Sequence, residues 1–154
     1  MLKIGDKMPS FEVLDQDGNV VKSEDFIGKG KKTIIYFYPK DNTSGCTAEA
    51  CSFRDSMSSI LPYAVVIGVS PDPVSRHLRF REQHQLNFPL LSDPEHLLAQ
   101  AFDVWKEKSM YGRKYMGIER STFIIRDNRI LHEWRKVKVN GHAGEVIDFL
   151  KNLQ

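Results

Sequence analysis

The chain has 154 residues, 41% hydrophobic and 27% charged, with a formal net charge of +2. That length predicts one domain, residues 1–154, with enough buried surface to need no disulfide or metal staple. The composition excludes disorder, collagen and coiled coil, and a charge this close to zero points to neither nucleic acid nor membrane. No apolar run approaches the ~18 residues of a membrane span. The N-terminal Met1–Asp6 has no apolar signal region, so the expected location is cytoplasmic. The only two cysteines, Cys46 and Cys51, are too few for a disulfide framework and too close to close a useful loop.

In chain order, Phe11–Leu14 and Val20–Val21 flank the turn Asp15–Asn19, which predicts an N-terminal β-hairpin. Gly28–Lys32 is a second turn. Thr33–Tyr38 is a continuous apolar, β-branched and aromatic run, the pattern of a strand buried on both faces. Pro39 ends it, Asp41–Thr43 supplies cap chemistry, and a helix is expected to about Leu61. Ala64–Val69 is a second buried strand. Pro71–Pro73 starts a helix to about Gln85, with proline in its first turn. Phe88–Leu91 is extended, and Asp93-Pro94 opens a helix to about Phe102.

Val104–Gly117 has no clear periodicity and is expected to be a long, functional loop. Ser121–Ile125 and Ile130–Val137 form strands joined at Asp127-Asn128. A last helix from about His142 presents Val146, Phe149, Leu150 and Leu153 on one face. Strands alternating with helices, then a hairpin and a closing helix, predict an α/β fold with a central mixed sheet flanked by helices. The order matches a thioredoxin-like pattern with an N-terminal β-hairpin added.

Several features carry less. Between Lys106 and Lys138 stand ten basic and four acidic residues, including Arg126, Arg129, Arg135, Lys136 and Lys138. A nucleic-acid face is one reading; a solvated strand beside an electropositive site wall is the favoured one. Gly28–Thr33 fails as a phosphate loop because it precedes a strand. The histidines are scattered, and His77 with His84 is the best of the poor metal pairs, so no metal is expected.

The cysteine segment holds the chemistry. With Thr43 as N-cap, Cys46 lies in a first helical turn, where unpaired N–H groups and the helix dipole favour an anion. The thiolate is the reactive form of cysteine. Gly45 would let an incoming oxygen reach the Cys46 N–H, and the Thr43 hydroxyl would reach the sulfur and a small polar substrate. Cys46, Ala50, Phe53, Met57 and Ile60 share a core-facing stripe, while Cys51, Asp55 and Ser58 fall on a polar face. The two thiols are therefore about 140° apart around the helix, with Cα atoms roughly 8–9 Å apart, beyond the reach of a disulfide. Any bridge between them requires the first turns to unwind.

Tyr36–Asp41, Thr43, Gly45-Cys46-Thr47 and Glu49-Ala50-Cys51 resemble the peroxiredoxin signature Pro-x-x-x-Thr-x-x-Cys, closest to the bacterioferritin comigratory protein (peroxiredoxin Q) branch. Gly68–Asp72, Phe88–Asp93, Met110–Gly112, Gly117–Phe123 and Trp134–Lys138 are similar to that branch as well, in the same order. The resemblance implies a thioredoxin-like fold and a thiol peroxidase for hydrogen peroxide and alkyl hydroperoxides, without cofactor, often monomeric and reduced by thioredoxin. It implies that Cys46 is the peroxidatic and Cys51 the resolving cysteine, forming the redox disulfide. Thr43 and Arg120 would bind peroxide and activate the thiolate, Pro39 would shield it, and Glu49 would orient the arginine. Ser44 departs from the branch's usual proline and is expected to loosen the first turn. Two other readings use the same residues differently: a disulfide-exchange protein or redox sensor that does not need Arg120, and a binding module built on Lys106–Lys138 with inert cysteines.

Overall fold

The computed structural model describes residues 2–26 and 30–153. The N-terminal hairpin forms as expected, with β1 (Glu12–Asp15) paired to β2 (Val20–Lys22). Gly28 and Lys29 of the expected second turn lie outside the described residues. The apolar runs become β3 (Lys32–Phe37) and β4 (Ala64–Ser70), paired in parallel. Thr33 to Phe37 are all buried, as a strand covered on both faces requires.

Joined by β5 (Leu90–Ser92), β8 (Ser121–Arg126) and β9 (Arg129–Trp134), these strands make one mixed seven-stranded sheet in the order β2-β1-β5-β4-β3-β8-β9. Side chains alternate across β3. Ile34 and Tyr36 pack with α1 (Ser44–Asp55), α2 (Met57–Ile60), α3 (Val74–Gln83) and α5 (His142–Lys151). Ile35 and Phe37 pack on the other face with Phe102, Phe123 and α4 (Leu97–Ala101).

Four elements differ from the expected ones. The first helix is not continuous to Leu61: it breaks at Ser56 (φ −95°, ψ 2°), whose N–H bonds back to Ser52 and Phe53, and α2 resumes for four residues. α3 starts at Val74, and Pro73 is its N-cap rather than part of its first turn. α4 starts four residues after Asp93 because His96 takes a left-handed conformation (φ 62°), which no helix continues through; the Asp93 carboxylate instead accepts the N–H groups of Leu98 and Ala99.

The expected loop over Val104–Gly117 is an antiparallel ribbon, β6 (Trp105–Met110) and β7 (Arg113–Ile118), turning at Tyr111 (φ 52°) and Gly112 (φ 76°). Two successive positive φ values make the tight hairpin turn that matches strand twist. Most of the ribbon is solvated on both faces, with Tyr111 98% exposed, so no apolar alternation marks it. No helix of the described residues is long and apolar enough to cross a membrane.

Candidate active site

The site forms where the buried strand β3 hands over to α1. Between them runs a short loop in which Asn42 takes a left-handed conformation (φ 63°), a region where asparagine is enriched. Thr43 is the N-cap of α1, as expected, in an extended conformation. Its hydroxyl, however, neither caps the helix nor bonds the sulfur. It donates to the Lys40 carbonyl at 2.9 Å, and one hydroxyl proton serves one acceptor. Pro39 is half-buried just past the end of β3.

Thr47 N–H closes the first helical bond to the Thr43 carbonyl at 2.8 Å. Among the described residues the N–H groups of Ser44, Gly45 and Cys46 find no protein acceptor, so three backbone donors converge at this helix end. The stripe assignment holds: Cys46, Ala50, Phe53, Met57 and Ile60 are all buried, while Cys51 is half-buried on the other side. Both cysteines are free thiols within the one helix.

Arg120, between β7 and β8, reaches across to α1. Its Nη2 donates to Cys46 Sγ at 3.4 Å and its Nη1 to Glu49 Oε1 at 2.6 Å. Its backbone carbonyl is held by Val137 N–H at 2.9 Å, which fixes where the guanidinium can go. Gly45 lies close to this approach: a Cβ there would lie 3.4 Å from Arg120 Nη2, in contact with the guanidinium. Burial works against the charge on Arg120, but Glu49 and Cys46 outweigh it and push the pKa up.

At Glu49 the balance goes the other way. The side chain is only 2% exposed, and burial raises its carboxyl from 4.5 to about 7 although Arg120 pulls it down. Among the described residues its Oε2 has no hydrogen-bond partner.

The raised value has a consequence for stability. An acid that holds its proton more tightly folded than unfolded favours the fold below its unfolded value, here 4.5, and that contribution is lost as pH rises through about 7. Across this window the wild type should lose up to about 3 kcal/mol relative to Glu49→Gln. Urea denaturation of both proteins at several pH values reads the difference, and a constant difference would contradict it.

A second buried network holds the loop and was not legible in the sequence. Asp41 is 1% exposed. Its Oδ1 accepts from the Tyr38 hydroxyl at 2.6 Å, its Oδ2 meets His77 Nδ1 at 2.6 Å, and its N–H donates to Asp72 Oδ2 at 2.8 Å. His77 Nε2 lies 2.9 Å from the Leu91 carbonyl, which can only accept, so this nitrogen is the donor.

Asp41, Asp72 and His77 lie within 4.8 Å of one another, a metal-like spacing. Here each is engaged with its neighbours, and His84 turns to Asn42 instead (3.3 Å). The network ties the loop before α1 to α3 and β5. Asp41→Ala leaves Tyr38 and His77 buried without their acceptor and should cost about 2–4 kcal/mol in urea denaturation. A loss under 1 kcal/mol would show that the network does not hold the loop.

The ribbon adds residues the sequence reading did not place. Lys106, Glu107 and Lys108 of β6 line a cleft with Glu119, Arg120, Lys136 and Val137. Lys108 is held below the usual lysine range by partial burial and by Arg120. The basic segment therefore shares Arg120 with the thiol site through this cleft. Gathered beside one buried thiol are a fixed guanidinium, a raised carboxyl and three free N–H groups, an arrangement that can hold a thiolate and the negative charge leaving a broken bond.

Comparisons with known proteins agree with this chemistry. Residues 4–133 match the AhpC/TSA family. The chain is 53% identical to peroxiredoxin Bcp of Bacillus subtilis over 154 residues, covering 99% of this chain and 97% of the relative. It is 43% identical to peroxiredoxin Bcp of Escherichia coli K12, covering 97% and 96%. A cysteine-to-serine variant of peroxiredoxin Q of Xylella fastidiosa superposes with a TM-score of 0.91 at 39% identity, covering 98% and 96%. Bacterioferritin comigratory protein of Xanthomonas campestris, solved as trapped intermediate and ligand complexes of its alkyl peroxide reduction, superposes with a TM-score of 0.86 at 40% identity, covering 92% and 90%. The thioredoxin-like architecture, the thiol site and these relatives converge: the chain belongs to the AhpC/TSA family and is a peroxidase of the Bcp/peroxiredoxin Q kind.

Proposed function

We propose that the whole chain works as one domain that reduces hydrogen peroxide and alkyl hydroperoxides through Cys46. The observation that carries this reading is the 3.4 Å contact between Arg120 Nη2 and Cys46 Sγ at the open end of α1. The thiolate attacks the distal oxygen of the peroxide in line, forming an S–O bond as the O–O bond breaks. Arg120 and the free N–H groups of the first turn stabilise the charge passing to the leaving oxygen. Thr43, at the rim, and Pro39, at the end of β3, shape the entry. Cys46 becomes a sulfenic acid and an alcohol or water leaves. Sulfur supplies both electrons, so the reaction needs no metal or organic cofactor.

Cys51 then resolves the sulfenic acid as an intramolecular disulfide, with loss of water. For this the N-terminal half of α1 unwinds. The second half is pinned: Arg54 Nη1 donates to the His84 carbonyl at 2.6 Å, and Asn87 Nδ2 donates to the Arg54 carbonyl at 3.3 Å. Cys51 thus stays near its anchor while Cys46 travels to it. Thioredoxin returns the pair to dithiol by exchange. The enzyme acts as a cytoplasmic monomer, with peroxide and the dithiol reductant as its partners and neither nucleic acid nor membrane involved.

The test is peroxide consumption coupled to thioredoxin and its reductase. Cys51→Ser should complete the first turnover, as one sulfenic acid per chain, and then stall. Sustained turnover at the wild-type rate would remove Cys51 from the cycle. Ser44 opens α1 without the constraint of proline. Ser44→Pro should therefore raise the cost of opening the first turn by about 0.5–1 kcal/mol, seen as slower amide hydrogen exchange over residues 46–50. Unchanged exchange would contradict this.

A further inference from the structure

The peroxide step needs a proton that the reacting atoms do not supply. A thiolate and a hydroperoxide give a sulfenic acid and an alkoxide: the sulfur loses two electrons, the O–O bond takes them, and the distal oxygen keeps its own hydrogen. The alkoxide, or hydroxide from hydrogen peroxide, must still gain one proton before it leaves as a neutral product.

We infer that Glu49 is the proton reservoir of this step, protonated while Cys46 is a thiolate and ionised once the sulfur has lost its charge. The inference rests on the proposed attack by Cys46. It starts from one guanidinium shared by two acids. Arg120 bonds Cys46 Sγ through Nη2 and Glu49 Oε1 through Nη1. Cys46 and Glu49 are three residues apart on α1, hence neighbours on one helix face, and both are 1% exposed.

With thiolate and carboxylate both ionised, two negative charges face one positive charge away from water. Such an imbalance in a low dielectric is relieved by binding a proton. Glu49 has a place for it, since Oε2 is buried and bonds to nothing among the described residues.

Oxidation reverses the balance. Before attack the set is a neutral carboxylic acid, a cationic guanidinium and a thiolate. Afterwards it is a carboxylate, the same guanidinium and a neutral sulfenic acid. The buried charge sums to zero in both states only if Glu49 gives up its proton as the sulfur is oxidised, and that proton balances the alkoxide.

The surrounding groups leave the exchange to Glu49. The Tyr36 phenol on β3 is driven well above its usual range by burial, then by Glu49 and Cys46, so it stays neutral throughout. Arg120 remains charged. His142 on α5 is held below the usual histidine range by burial and is engaged with Thr122 and Glu145. Lys108 on β6 is lowered by burial and then by Arg120, with Glu119 and Cys46 pulling the other way, and Glu49 does not act on it directly. Glu49 is thus a positioning residue that works through Arg120, and its carboxyl, raised to about 7, sits where a small change of local charge moves a proton.

The experiment uses the full chain as Cys51→Ser, in which the sulfenic acid accumulates, mixed with one equivalent of hydrogen peroxide near pH 6. Infrared difference spectra before and after oxidation should show loss of a protonated carboxyl C=O band that shifts on isotopic labelling of glutamate and is missing in Glu49→Gln. In weak buffer with an indicator dye, this protein should take up almost no proton, whereas Glu49→Gln in the same background should take up about one per sulfenic acid formed. A carboxyl band unchanged while mass spectrometry shows the sulfenic acid would overturn the inference and leave the Cys46 reading standing. No sulfenic acid at Cys46 would overturn both.

Discussion

Replacing Cys46 with serine abolishes peroxide reduction, lowering the rate by at least about 10⁴-fold, the scale on which removal of a nucleophile acts. The expected loss is chemical rather than structural. Serine is close in size, and the site at α1 is packed against a core that includes Ala50, Phe53 and Tyr36. An alcohol oxygen at neutral pH neither ionises nor accepts an oxygen atom from peroxide, whereas sulfur does both. Circular dichroism and urea midpoint should stay near wild type while peroxide consumption falls to background. Activity surviving the change would mean that the chemistry lies elsewhere.

Arg120→Ala produces the second large effect, a fall of about 10²–10³-fold in the rate of Cys46 oxidation. One side chain serves two acids 74 and 71 positions away in the chain, so its removal strips a donor from the thiolate and also leaves Glu49 buried without its partner. Glu49 then holds its proton more firmly, and the reaction loses charge stabilisation at the moment the O–O bond breaks. Arg120→Lys should recover little, because an ammonium is one point charge and cannot hold both contacts as the fork does. Stopped-flow tryptophan fluorescence against peroxide concentration reads the rate constant. A simple disulfide-exchange protein would keep its thiol reactivity in Arg120→Ala, so the size of the loss also separates the two readings.

Legibility in the sequence followed the physical range of each interaction. β3 and β4 were readable because a strand buried on both faces needs an unbroken apolar run, and Ile34-Ile35-Tyr36-Phe37 provides one. The stripe Cys46-Ala50-Phe53-Met57-Ile60 was readable because helical period alone assigns a face. The β6–β7 ribbon was not, since a solvated ribbon needs no apolar pattern. The start of α4 was misplaced because no local pattern in the sequence marks the left-handed conformation of His96 that delays the helix.

Within the site, local chemistry pointed to Cys46 and the N-terminus of α1, but Arg120 was identified only through family resemblance. No periodicity joins residues so far apart. The Asp41–His77 contact, 36 positions apart, had neither a local signal nor a motif in the resemblance to carry it. Thr43 shows the converse: its position was legible, but the acceptor of its hydroxyl was not, because the Lys40 carbonyl reaches it only through the turn.

Two thiols that an intact helix keeps apart are brought together, in the proposed cycle, by a chemical step. One measurement tests this most directly. Reduced protein is treated with one equivalent of hydrogen peroxide, alkylated, cleaved with trypsin and weighed, so that the peptide from Asp41 to Arg54 carries both cysteines. The predicted result is that peptide lighter by two hydrogens and unalkylated, from a chain that remains monomeric on a non-reducing gel. Recovery of the peptide with both thiols alkylated, or of a disulfide joining two chains, would contradict the account.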